Sequence, residues 1–110
     1  MNKYGNRKTT VDGITFDSKK EAERYLQLKA MLNAGEISDL RLQVRIKLLD
    51  AFESNGHKYK PLYYIADFVY LKDGKFVVED VKGYRTDVYK LKRKLFAYKY
   101  RDEGIEITEI

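Results

Sequence analysis

The stretch YIADFVYLKDGKFVVEDVKG, residues 64–83, decides how this chain folds. Asp73-Gly74 stands between two runs rich in β-branched and aromatic residues. An Asp-Gly pair favours a type I′ turn, because both central residues take positive φ, so the stretch reads as a β-hairpin. A two-residue loop sets the register. Lys72 pairs with Lys75, Leu71 with Phe76, Tyr70 with Val77, Val69 with Val78, Phe68 with Glu79, and Asp67 with Asp80. Period-two alternation then predicts one face carrying Ile65, Asp67, Val69, Leu71, Phe76, Val78, Asp80 and Lys82, with Glu79 on the other. Like charges opposed on a sheet destabilise it, and neighbouring carboxylates raise each other's pKa unless a cation lies between them. A metal ion between Asp67 and Asp80 removes that conflict. The competing reading is a solvated strand end where Lys82 pairs with one acid.

Working outward, the punctuation continues. Asp12-Gly13 separates Thr9–Val11 from Ile14–Phe16 as a small N-terminal hairpin, and Asn55-Gly56 divides a long extended region. Asp17-Ser18 opens a helix to about Asn33, with Gly35 as its C′ residue. Leu40–Leu49, Tyr59–Leu71 and Phe76–Val81 read as strands. Thr86 caps a second helix to about Tyr100, with Val88, Leu91, Leu95 and Tyr98 as its apolar stripe. Gly104 stops it, and Ile105–Ile110 alternates as a last strand. Three strands joined by tight turns form an antiparallel meander. A helix before the fourth implies a right-handed parallel crossover. The expected fold is α/β: one domain over residues 1–110, a mixed sheet flanked by helices, with a basic tail and hairpin at 1–16.

Composition narrows the function. The chain has 110 residues, no Cys and one His, His57, so thiolate and zinc sites are excluded, and any metal must be held by oxygen. That favours magnesium or manganese. No apolar run approaches membrane-spanning length, and MNKYGNRKTT lacks a signal-peptide core, which predicts a soluble intracellular protein without a membrane partner. The net charge is +5. Between Lys82 and Arg101, eight basic residues face Asp87 alone, and Lys3, Arg7 and Lys8 form a second group. A localised basic surface fits a polyanion, although such runs also serve as solvated helix faces.

Tyr64-Ile65-Ala66-Asp67-Phe68-Val69, a turn, then Glu79-Asp80-Val81-Lys82-Gly83 resembles the PD-(D/E)xK nuclease superfamily, and is most similar to small phage-encoded nucleases of the Holliday junction resolvase type. The resemblance extends from Tyr4-Gly5 through Phe16-Asp17-Ser18-Lys19-Lys20-Glu21-Ala22 to the second helix. It implies a restriction-endonuclease-like αβββαβ core. Asp67 matches the first acidic motif residue, Asp80 the second and Lys82 the lysine, while Ala66 stands where the name-giving proline would be. The resemblance places an acid on the first helix. Glu21 is that candidate, although Ser18-x-x-Glu21 is also a capping box; Glu23 lies on a different helix face.

The resemblance implies a magnesium- or manganese-dependent DNA endonuclease. Glu21, Asp67, Asp80 and Lys82 are its catalytic residues, and Asp67, Asp80, the Val81 carbonyl and Glu21 hold the metal. Lys8, Arg85, Lys90, Lys92, Arg93 and Lys94 are the expected DNA contacts, with Lys92 alternatively snorkelling over apolar surface. The expected substrate is branched DNA, the expected assembly a homodimer, and the expected setting the cytoplasm of a bacterial host carrying a phage or prophage. The alternatives are a related nuclease for flaps, duplex ends or transposon ends, a non-catalytic DNA-binding module, and a recombination accessory protein.

Overall fold

The computed structural model describes residues 7–81 and 84–110. The turn chemistry sets the first elements. Asp12 and Gly13 adopt positive φ and close β1 (Thr9–Val11) onto β2 (Ile14–Phe16), Val11 opposite Ile14. Helix α1 (Lys19–Asn33) starts at Ser18, whose Oγ accepts the Glu21 backbone N–H at 3.1 Å. It ends in a Schellman arrangement: Gly35 takes φ +76°, Gly35 N–H donates to the Leu32 carbonyl, and Glu36 N–H to that of Met31.

The main sheet has the order β3-β6-β7-β8, built from β3 (Ser38–Leu49), β6 (Leu62–Lys72), β7 (Lys75–Asp80) and β8 (Ile107–Glu109). The first three are antiparallel. β8 follows α2 (Asp87–Lys99) and runs parallel to β7, with Val78 opposite Ile107. The β6–β7 register agrees with the sequence reading from Lys72↔Lys75 through Phe68↔Glu79. The architecture is an α/β fold with a mixed sheet flanked by two helices. One core layer packs Phe16, Ala22, Tyr25, Leu28 and Ile37 on Phe68 and Tyr70. The other packs Tyr89 and Phe96 of α2 on Tyr64, Ala66, Val69, Val78 and Ile107.

Three expectations are corrected. Asn55-Gly56 does not sit within the main sheet. It closes a separate exposed ribbon of β4 (Phe52–Ser54) and β5 (His57–Tyr59), and β6 begins at Leu62 after Lys60-Pro61, because Pro lacks the N–H a ladder needs. On α2 it is Tyr89 and Phe96 that are buried, whereas Val88, Leu91 and Tyr98 are each more than half exposed. The two aromatic rings, a whole number of helical turns apart, fill the sheet face better than the aliphatic stripe does, and the helix turns accordingly.

The third correction bears on the site. Ala66 packs with the α2 layer and Phe68 with the α1 layer, although two residues apart on a regular strand they would share a face. The opposing strand does the same at Val44 and Leu42. Between these rungs Gln43 holds φ +52°, a left-handed conformation rare for a residue with a long side chain. Both strands therefore reverse face together at Gln43 and Asp67. Ile65 falls on the side opposite Val69, not beside it. Tyr64 and Ala66 take the place assigned to it.

Candidate active site

The reversal at Asp67 assembles three carboxylates from three elements. Glu21 enters from the first turn of α1 and is 7% exposed; Asp80 ends β7 and is 2% exposed. The Gln43 amide Nε2 donates to Glu21 Oε1 at 3.1 Å and to Asp67 Oδ1 at 3.2 Å, joining helix to strand. The Val81 backbone N–H donates to Asp67 Oδ2 at 2.8 Å, where β7 leaves the sheet. Asp80 accepts the Tyr64 hydroxyl at 2.5 Å and stands close enough for its charge to act on Asp67.

This crowding is expressed electrostatically. Burial, followed by the charges of Asp80 and Glu21, pushes the Asp67 carboxyl up to about 7 against the opposing pull of the Val81 N–H. Burial and the neighbouring Asp80 also raise Tyr64 far above its ordinary value, so its hydroxyl stays a donor.

Glu79, on the opposite side of β7 as the alternation predicted, is fully engaged. It is 1% exposed and takes a two-pronged contact from Arg24 of α1, Nε to Oε1 at 2.8 Å and Nη2 to Oε2 at 2.6 Å. Tyr70 donates its hydroxyl to the same carboxylate, and burial with that bond pushes Tyr70 up to about 12. Glu79 thus ties α1 to β7 one residue before Asp80 and belongs to the scaffold.

Of the expected DNA contacts, Lys8, Lys90 and Lys94 are exposed. Lys92 is half-buried and lines a cleft of about 270 Å³ with Tyr64, Ile65, Thr86, Val88 and Tyr89. That cleft opens beside the Tyr64–Asp80 pair. Arg85 and Arg93 are engaged by Glu109 of β8, at 3.0 and 3.3 Å, and the Tyr89 hydroxyl donates to the same carboxylate at 2.6 Å. The Tyr89 bond first, then the two guanidinium groups, hold Glu109 below the usual carboxylate range. Lys82, the expected catalytic lysine, lies outside the described residues, as do Lys3 and the rest of 1–6.

Among the described residues no three His, Cys, Asp or Glu side chains stand at a spacing that would hold a metal ion. The donors nevertheless suit a hard cation. All are oxygens, and the Asp67 carboxyl, raised by like charge and burial, is the group a cation would return to its ionised form. Gln43, Tyr64 and Arg24 were not foreseen. Gln43 falls in the alternation of Arg41, Arg45 and Lys47, which reads as an ordinary solvent face, and nothing local marks it as the residue that reverses the strand.

The fold and site define a small mixed-sheet α/β protein in which buried Glu21 and Asp80 flank a half-buried Asp67 where the central hairpin meets the first helix. The chain belongs to the family described as Protein of unknown function (DUF1064), whose profile matches residues 1–109. No curated protein and no solved structure matches it. No helix among the described residues is long and apolar enough to cross a membrane.

Proposed function

We propose that this chain is a PD-(D/E)xK-type, metal-dependent DNA endonuclease that hydrolyses phosphodiesters in branched DNA such as Holliday junctions. The supporting observation is that Gln43 joins Glu21 to Asp67 and that burial with the charges of Asp80 and Glu21 raises Asp67 to about 7. Two buried acids, Glu21 and Asp80, flanking a half-buried third are costly in a protein that needs only stability, and active sites are where such costs concentrate. The order helix, three strands, helix, strand is that of the superfamily core.

In this reading Asp67 and Asp80 hold a magnesium or manganese ion, with the Val81 carbonyl and Glu21 completing its surroundings. When bound, the ion supplies Lewis-acid stabilisation of charge developing on the phosphoryl oxygens. Gln43 spaces Glu21 from Asp67 and gives way to the cation. The Val81 N–H fixes one Asp67 oxygen, while the other accepts the Gln43 amide. Tyr64 orients Asp80. Lys82, by its place two residues after Asp80, orients the attacking water or neutralises charge in the transition state. Lys92, at the cleft beside Asp80, contacts a phosphate of the bound strand. Products carry 5′-phosphates, and two symmetric cuts require a homodimer.

The test is a panel of four-way junction, flap, linear duplex and single-stranded DNA with Mg²⁺, Mn²⁺ or EDTA. Cleavage with either metal and none in EDTA is expected, and Asp67→Asn or Asp80→Asn lowers the rate by at least ~100-fold. Either variant cleaving at the parental rate sinks the assignment. A non-catalytic DNA-binding module is the second reading, favoured by the Gln43 amide bridging Glu21 and Asp67 where a cation would bind. It predicts salt-sensitive DNA binding without cleavage under any divalent cation.

A further inference from the structure

Helix α1 covers only half of its face of the sheet. Its core layer reaches Leu40 and Leu42 on β3, and Phe68 and Tyr70 on β6. Glu21 closes that layer at Gln43 and Asp67. Beyond the reversal, Val44, Ile46, Leu62, Tyr64 and Ala66 turn to the α2 layer. The alternate residues Arg45, Lys47, Tyr63 and Ile65 turn the other way, where neither core layer includes them. Arg45 pairs in register with Ile65, and Lys47 with Tyr63. Arg45, Lys47 and Ile65 are exposed.

We propose that this bare half-face, Arg45 and Lys47 braced by Tyr63, grips the phosphate backbone of the DNA strand that enters the carboxylate site. The proposal rests on the nuclease reading and names the surface that serves it. Three observations support a polyanion rather than a protein or a second copy. The Arg45 guanidinium lies over the Tyr63 ring, 3.7 Å from its centroid, which limits its freedom while it stays exposed. A stacked guanidinium loses less freedom on meeting a phosphate, and its fork matches two phosphate oxygens. The ring face is occupied, which leaves Tyr63 a brace rather than a stacking platform for bases.

Second, the two cations stand next to the site, and their acidic neighbour here is weakly held. Lys47 meets Asp50 at 3.3 Å, and Asp50 is almost fully exposed, so the pair is weak and easily exchanged for a phosphate. Third, the position is continuous with the acids. Arg45 lies two residues along β3 from Gln43, and Ile65 two residues along β6 from Asp67. That is about 7 Å on a strand, close to two base steps of a duplex at roughly 3.4 Å each. A phosphate held by Arg45 would thus lie near the one presented to Asp67. The cations also offset the repulsion between DNA and three acids.

The test is fluorescence anisotropy of the full chain with a fluorescein-labelled four-way junction and a labelled single strand, in EDTA and over a range of salt. The variant Arg45→Glu/Lys47→Glu should raise Kd at least ~10-fold near 0.1 M salt and lower the salt slope by about 2. Tyr63→Leu, which keeps both charges, should raise Kd ~3-fold through loss of the brace. Lys75→Glu, at the exposed far turn of β6 and β7, should stay within ~2-fold of the parent. Circular dichroism checks that each variant folds, and Arg45→Gln/Lys47→Gln replaces the reversal pair if that pair does not. Binding by the double variant within ~2-fold of the parent overturns the surface, as does a parent that binds neither DNA. A parent that cleaves while the double variant binds unchanged keeps the nuclease and loses the surface. Binding that depends on Arg45 and Lys47 without cleavage under Mg²⁺ or Mn²⁺ upholds the surface and sinks the nuclease.

Discussion

Asp67 carries the largest share of what is unusual in this molecule. It sits where two strands change face, accepts a backbone N–H on one oxygen and an amide on the other, and still meets Asp80. An unfolded aspartate titrates near ~3.9, whereas the folded one is raised to about 7. Between those values the folded chain binds more protons than the unfolded chain, so stability falls as pH rises. In EDTA the thermal midpoint should therefore decline from about pH 4 to pH 7. Asp67→Asn should flatten that decline, and denaturation scans at several pH values read it directly. A midpoint that rises over this interval in the parent would contradict the raised Asp67 carboxyl. Gln43 explains how the acids coexist in the folded chain: its amide hydrogens serve both Glu21 and Asp67.

At the scale of elements, two carboxylates act as ties. Glu79 binds α1 to β7 through Arg24, a contact with little solvent on the acid side. Arg24→Met leaves that buried charge without its guanidinium and should cost about 3 kcal/mol in urea unfolding. Replacing both residues, Arg24→Met with Glu79→Leu, should recover much of the loss, since two apolar groups leave no charge to solvate. Equal losses in the single and double variants would argue against an ion-pair tie. Glu109 binds β8 to α2 through Tyr89, Arg85 and Arg93. Its lowered pKa means that this support is present at neutral pH and is lost as pH falls through its folded value. Glu109→Gln should cost about 1–2 kcal/mol. It should also tighten DNA binding by releasing two guanidinium groups, with both effects measurable on one preparation. Unchanged stability in Glu109→Gln would remove the tie.

At the scale of the whole molecule, the proposed symmetric cleavage needs two sites. Sedimentation velocity of the 13.0 kDa chain should give about twice that mass when bound to a four-way junction. A single copy per junction that still makes both cuts would refute the paired arrangement. The fold that carries the site was legible wherever local chemistry dictates backbone shape. Asp73-Gly74 fixed the hairpin register, Ser18 and Gly35 bounded α1, and a helix before the final strand implied the parallel pairing observed for β8. Of the proposed site, the sequence singled out Asp67 and Asp80 by expected register and Glu21 by resemblance, and it gave no sign of Gln43 or Tyr64 beside them.

By itself the sequence determined the two helices, the N-terminal hairpin, the four main-sheet strands in their order and the β6–β7 register from Lys72 to Phe68, because turn residues, caps and alternation act over a few neighbouring positions. Only the tertiary structure decided that the strands reverse face at Gln43 and Asp67, that α2 buries Tyr89 and Phe96, and that Arg85 and Arg93 answer to Glu109. Each of those outcomes depends on residues distant in the chain competing for the same space or the same charge, and such competition is settled only when the layers pack.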